Sequence, residues 1–106
     1  MIVDQHFAER GRLSRLLGAV AQNPKTLGVG IDEDTAIIVE GKDHFRVIGS
    51  GAVYVLDARN VTYSNIAEAK ADDTLSIHDL RVHVLSSGDC FDLVSRTPTK
   101  SPDKIP

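Results

Sequence analysis

The middle of the chain contains four short apolar segments that follow one another closely. Their approximate bounds are residues 26–31, 35–40, 44–49 and 52–56. A parallel connection between two strands of one sheet needs a dozen or more linking residues. The linkers here have two or three residues. We therefore predict a mostly antiparallel set of short strands in this region.

A helical pattern precedes these segments. Its apolar positions are Leu13, Leu16, Leu17 and Val20, which recur at the i, i+3, i+4, i+7 spacing of an amphipathic helix. Pro24 ends the pattern, because the residue before a proline is pushed out of the helical region. We predict a helix at about residues 8–22. The apolar residues before it, at positions 2 and 3, indicate the end of a buried strand.

The last third of the chain contains two more predicted strands and a tail. Residues 75–86 alternate between polar and apolar, and residues 90–94 follow a turn, which predicts that the two pair as a hairpin. From Arg96 the chain has three prolines and no apolar pattern. We therefore expect one structured unit over residues 1–95 and a disordered tail over residues 96–106.

Composition excludes several classes of protein. The chain has 106 residues, 42% of them hydrophobic, with no apolar run near the roughly 20 residues of a membrane span. Cys90 is the single cysteine, so a disulfide or a cysteine-rich zinc site within the chain is excluded. The net charge of -3 argues against general attraction to nucleic acid. We expect a cytoplasmic protein without a metal or another cofactor.

The densest group of functional side chains lies in the first sixteen residues. Asp4, Gln5 and His6 directly follow the first apolar residues. A histidine beside a carboxylate can act as a general base; the alternative is a surface or core histidine that is hydrogen-bonded to its backbone. Arginines follow at positions 10, 12 and 15. They could hold a carboxylate or phosphate, or form a solvated helix face.

An acidic triplet, Asp32-Glu33-Asp34, separates two of the predicted strands. One of its carboxylates could orient a histidine or pair with an arginine. The alternative is a charged tip of a hairpin, because acidic residues are common in turns.

The order of these residues resembles the cyanophycinase family, which are serine peptidases related to peptidase E. The segment DQHFAERGRLSRL is similar to the D-Q-H-F-x-x-R-x-R-x-x-R-L segment of that family. The match continues through AVAQNPKTLGVGIDEDTAIIVE, VIGSGAVYVLDARNVTYSN and LSIHDLRVHVLSSGDCFDL. The resemblance covers nearly all of residues 2–95.

The resemblance implies a fold and a reaction. The fold is α/β, here the C-terminal part of a three-layer α/β/α sandwich in which one helix precedes mostly antiparallel strands. The family hydrolyses cyanophycin, a poly-aspartate chain with arginine on each β-carboxylate, and releases β-Asp-Arg dipeptides. Its catalytic residues are a serine, a histidine and a glutamate.

The resemblance also assigns roles to residues of this chain. His6 takes the place of the triad histidine. Glu33 is assigned as the triad acid because it follows the strand after the helix, with Asp32 and Asp34 as alternatives. The matching substrate pocket consists of Asp4, Gln5, Arg10, Arg12 and Arg15.

The nucleophilic serine of the family has no counterpart in this chain. A histidine and an acid without an activated serine cannot form an acyl-enzyme, so we expect the chain alone to be inactive. We expect an N-terminal half to supply the serine, and a homodimer is also open. The leucine stripe and the strand at residues 27–31 would be exposed without that half.

Two other functions are compatible with the sequence. The first is a non-catalytic, β-rich module that binds an acidic peptide or polymer through the arginine cluster. The second is a family relative in which His6 and Glu33 persist for folding although the chemistry has been lost.

Overall fold

A computed structural model describes residues 1–5, 12–70 and 73–100 of the chain. Within these ranges one helix and ten strands are defined. In chain order they are β1 (Ile2–Gln5), α1 (Arg12–Gln22), β2 (Gly28–Ile31), β3 (Thr35–Glu40), β4 (His44–Gly49), β5 (Val53–Asp57), β6 (Tyr63–Ser64), β7 (Ile77–His78), β8 (Arg81–Leu85), β9 (Asp89–Asp92) and β10 (Thr97–Lys100).

The strands form two four-stranded sheets and one small two-stranded sheet. The first sheet has the order β1-β2-β5-β8, and the second has the order β10-β9-β4-β3. Strands β6 and β7 pair with each other. All of these pairings are antiparallel except that of β1 with β2, which is parallel.

The main core lies between the two large sheets. The first sheet contributes buried valines of β2 and β5, and the second contributes Phe45 and Phe91. The two phenylalanine rings stack with their centroids 5.5 Å apart. Alternate residues of each strand face the same side, so this apolar set covers one face of each sheet.

The helix α1 covers the opposite face of the first sheet. Leu16 and Val20 are buried there against Leu56 and Ala58. The approach is close at Gly28, where a Cβ atom would lie 2.5 Å from Cγ1 of Val20. The described residues therefore form three layers: a helix, a sheet and a second sheet.

Much of the predicted secondary structure is confirmed. The α/β class, with one helix ahead of mostly antiparallel strands, is correct. The segments at 35–40 and 44–49 are β3 and β4 with those bounds. The predicted helix is observed from residue 12 to residue 22, and its first four predicted residues lie outside the described ranges.

The predicted hairpin of the last two strands is wrong. Strand β9 pairs with β4 and β10, whereas β8 pairs with β5 in the other sheet. The turn crosses between the sheets, since the Gly88 N–H donates to the Val47 carbonyl of β4. The crossing buries Phe91 between the sheets, which a hairpin with β8 would not do.

The predicted disorder also fails for the first part of the tail. Residues Thr97–Lys100 form β10, an antiparallel partner of β9. Arg96 anchors this segment: Nη1 donates to Asp57 Oδ1 at 3.0 Å and Nη2 donates to the Lys25 carbonyl at 2.6 Å. Residues 101–106 lie outside the described ranges.

The predicted exposure of the helix stripe and of β2 is wrong as well. Leu16 and Val20 are at most 1% exposed, and every residue of β2 is buried. Leu17 is partly buried, and Leu13 is half exposed. The two core clusters form within the chain because β5 supplies apolar side chains to both faces of the first sheet.

Candidate functional site

The parallel pairing of β1 and β2 brings the carboxyl ends of these two strands together at one end of the first sheet. Gln5, at the end of β1, is paired in register with Ile31, at the end of β2. His6 follows the first strand and the acidic triplet follows the second. In open α/β sheets, ligands bind at the carboxyl ends of the strands. The helix side of this strand end carries an aspartate and two arginines, and the turn side carries three acidic residues.

An Asp–Arg cluster lies on the helix side of β1. Asp4 is 9% exposed and accepts hydrogen bonds from two arginines of the first helical turn. Arg15 donates from Nη2 to Oδ1 at 2.6 Å and from Nε to Oδ2 at 3.1 Å. Arg12 donates from Nη1 to Oδ1 at 3.2 Å. The helix spacing of three residues places both guanidinium groups on the same flank.

The ion pair in this cluster favours the charged form of both Asp4 and Arg15. The hydrogen bond from Arg15 is the main reason that the pKa of Asp4 lies below its ordinary value, and it also raises the pKa of Arg15. Asp4 is therefore a carboxylate at neutral pH. The Arg15 side chain is 60% exposed although Asp4 holds its guanidinium group in place. The cluster is suited to a carboxylate ligand.

An acidic cleft lies on the other side of the same strand end. Its volume is about 170 Å³, and its lining residues are Gln5, Ile31, Asp32, Glu33, Asp34 and Thr35. Gln5 and Glu33, predicted separately from the sequence, thus line one cleft. Asp32 has one buried oxygen, Oδ1, for which the described residues provide no hydrogen-bond partner.

The predicted site residues are therefore placed in two groups. Asp4, Arg12 and Arg15 form the cluster on the helix side, and Gln5 and Glu33 line the acidic cleft. His6 and Arg10 lie outside the described residues. Sequence reasoning treated Asp4 as a pocket residue and missed that it is the ion-pair partner of the arginines. The available signal was the short distance along the chain between an aspartate at the end of a strand and two arginines at the start of the next helix.

The described residues contain neither a cluster of metal ligands nor a membrane-spanning helix. No group of three or more histidine, cysteine, aspartate or glutamate side chains that could hold a metal ion occurs among them. The helix of this part of the chain is too short to cross a membrane.

The layout is that of an α/β protein with polar groups at the carboxyl ends of two adjacent parallel strands. No known family model matches the chain. Individual proteins do match it: a cyanophycinase of Synechococcus elongatus is 48% identical over 93 residues. Cyanophycinases of Trichormus variabilis and Geminocystis herdmanii are 45% and 41% identical, over 97 and 98 residues.

These matches cover most of the chain but a minor part of each relative. They include 88–92% of this chain and 29–36% of the relatives. The chain thus spans about a third of the length of the curated relatives it matches. The resemblance to the cyanophycinase family is confirmed: the chain is homologous to one part of these proteins.

Proposed function

We propose that this chain is the part of a cyanophycinase-like serine peptidase that carries the triad histidine, the triad acid and the substrate pocket. The single observation that carries the proposal is the register of β1 and β2. It places the strand end that precedes His6 beside the turn that contains Glu33. A general base and the acid that orients it must lie within hydrogen-bond reach of each other.

The proposed chemistry follows from these roles. A serine outside this chain attacks a backbone carbonyl carbon of cyanophycin, and His6 takes the proton from its hydroxyl group. Glu33 orients the imidazole and stabilises its protonated form. His6 then returns the proton to the leaving amine, and water hydrolyses the acyl-enzyme with the same histidine as base. The product is the β-Asp-Arg dipeptide.

The charge distribution supports the substrate class. Cyanophycin carries both carboxylates, at its chain end and on its arginines, and guanidinium groups. The Asp–Arg cluster and the acidic cleft lie on opposite sides of the same strand end. Guanidinium forks bind carboxylates in bidentate geometry, and carboxylates bind guanidinium groups in the same way. We propose Arg10, Arg12 and Arg15, with Asp4 and Gln5, as the pocket.

The remaining part of the enzyme is a required partner in this proposal. It supplies the serine and, we propose, completes a three-layer α/β/α sandwich with this chain. The chain alone is therefore expected to be inactive, because two members of a triad do not form an acyl-enzyme.

A chimaera tests the proposal. This chain would replace the matching 93-residue segment in the cyanophycinase of Synechococcus elongatus. Release of β-Asp-Arg from cyanophycin by the chimaera, but not by the 106-residue chain, is the expected result. A folded chimaera without activity, or release by the chain alone, would contradict it. Circular dichroism distinguishes a folded chimaera from a misfolded one.

One observation favours a second function, binding without catalysis. Arg15 is largely exposed although it is held by Asp4, so it is fixed and accessible. Titration of the chain with poly-aspartate tests this function. Two results together would support it over the peptidase. Binding by the chain would be lost in Arg15→Ala and kept in His6→Ala, and the folded chimaera would lack activity.

A further inference from the structure

The turn that contains Glu33 is held at both ends by the loop between β4 and β5. The Asp32 N–H donates to the Ala52 carbonyl at 3.1 Å. The Ser50 N–H donates to the Asp34 carbonyl, also at 3.1 Å. A third bond to the same loop involves a side chain, since Asp32 Oδ2 accepts from the Ala52 N–H at 3.0 Å. The turn is exposed, yet its backbone is fixed on both sides of Glu33.

The Thr35 hydroxyl links the loop directly to the backbone of Glu33. It donates a hydrogen bond to the Glu33 carbonyl at 3.0 Å and accepts one from the Gly51 N–H at 2.8 Å. A hydroxyl group can do both at once, because it has one donor and two acceptor lone pairs. The Thr35 hydroxyl therefore bridges the loop and the Glu33 carbonyl.

Two glycines, Gly49 at the end of β4 and Gly51 in the loop, approach the turn too closely for a residue with a side chain. A Cβ atom at Gly51 would lie 2.6 Å from Thr35 Oγ1 and 2.7 Å from Asp32 Cβ. At Gly49 it would lie 2.3 Å from the Asp34 carbonyl oxygen, and the Gly49 φ of 112° is in the region that favours glycine. Close packing of this kind leaves the turn little freedom to shift.

We propose that Thr35 is a positioning residue that acts through Glu33. This inference rests on the proposed function, in which Glu33 is the triad acid. Asp34, the next residue, has a left-handed φ of 55°, a conformation that non-glycine residues hold only with local support. The hydroxyl supplies that support by fixing the Glu33 carbonyl. Loss of the hydroxyl leaves the fold in place and lets the acid move away from its histidine.

Two substitutions at Thr35 in the chimaera test the inference. Thr35→Val keeps the shape of the side chain and removes both hydrogen bonds, whereas Thr35→Ser keeps the hydroxyl. We expect kcat to fall roughly ten- to a hundredfold in Thr35→Val with KM changed less than about twofold, because small displacements of catalytic groups are costly. Thr35→Ser should restore kcat. Ser50→Ala is the matched control, since its loop bond comes from the backbone.

A measurement on the 106-residue chain separates this inference from the proposed function. Thr35→Val should speed amide hydrogen exchange at Gly51 and shift the NMR signals of Glu33, with signals of β2 unchanged. Unchanged exchange at Gly51, or a Thr35→Val chimaera as active as its parent, would overturn the inference. If Glu33→Gln leaves the chimaera active, the proposed function fails and the positioning role fails with it. The exchange rates then show a structural role only.

Discussion

Arg15 of α1 donates two hydrogen bonds to the carboxylate of Asp4 in β1. The distances are 2.6 Å from Nη2 to Oδ1 and 3.1 Å from Nε to Oδ2. This pair joins α1 to β1 at the strand end from which the chain continues to His6. The Asp–Arg cluster therefore has two consequences: it contributes to stability, and it fixes the charged groups that we propose as the substrate pocket.

The first prediction concerns the pH dependence of stability at Asp4. Its pKa is lower in the folded state than the ordinary value of 3.8, mainly because of the hydrogen bond from Arg15. The stabilising contribution is therefore complete above pH 3.8 and is lost as the pH falls through the lower pKa of the folded state. Asp4→Asn should lower the free energy of unfolding by about 1–2 kcal/mol at pH 7.

Urea denaturation at several pH values checks this prediction. The difference between wild type and Asp4→Asn should shrink as the pH falls below 3.8, because the unfolded chain binds a proton at Asp4 first and the folded protein does so only at its lower pKa. Asp43→Asn is a control, since Asp43 pairs with His44 at an exposed position. A difference at Asp4 that is the same at all pH values would show that the charge is unimportant.

The second prediction concerns the contact of α1 with β2. Gly28→Ala places a Cβ atom 2.5 Å from Cγ1 of Val20, which is fully buried and cannot move away. We expect a loss of about 1–3 kcal/mol in the free energy of unfolding. Gly18→Ala is the matched control: its Cβ would lie 3.9 Å from Ile66, and alanine favours the helix by about 0.5–1 kcal/mol. Thermal melts of both variants should shift in opposite directions.

The third prediction concerns the anchor of the last strand. Arg96→Ala removes an ion-pair partner of Asp57, a carboxylate that is 4% exposed, and a bond to the Lys25 carbonyl. The Arg59 N–H still donates to Asp57, so we expect a loss of about 1–2 kcal/mol. Arg46→Ala breaks an exposed pair with Glu40 and should cost about 0.5 kcal/mol or less. Equal losses in chemical denaturation would contradict the account.

Local patterns in the sequence predicted the elements but not all of their partners. The stripe of Leu16 and Val20 and the closely spaced strands β3 and β4 depend on near neighbours, so their periods identified them. The pairing of β9 depends on Phe91, whose ring packs on Phe45, 46 residues earlier in the chain. The prediction of a disordered tail was wrong at its start for the same reason: Arg96 is held by Asp57, a contact between distant parts of the chain.

The candidate site shows the same division. The motif from Asp4 to Arg15 identified the charged residues, and the parallel register brought Gln5 and Glu33 into one cleft. Nothing in the sequence indicated the role proposed for the Thr35 hydroxyl, because its partner Gly51 lies 16 residues later in the chain. The features that could not be predicted depend on contacts between segments that are distant in the sequence, and residue type alone does not reveal such contacts.

The most direct test of the central claim is the activity of the chimaera with single substitutions in the acidic turn. We predict that Glu33→Gln lowers kcat/KM for β-Asp-Arg release by roughly a thousandfold or more, because the triad histidine then loses its orienting acid. Asp34→Asn, the matched control in the same turn, should stay within about threefold of the parent. Full activity in Glu33→Gln, or a large loss in Asp34→Asn alone, would contradict the assignment of Glu33 and the catalytic account built on it.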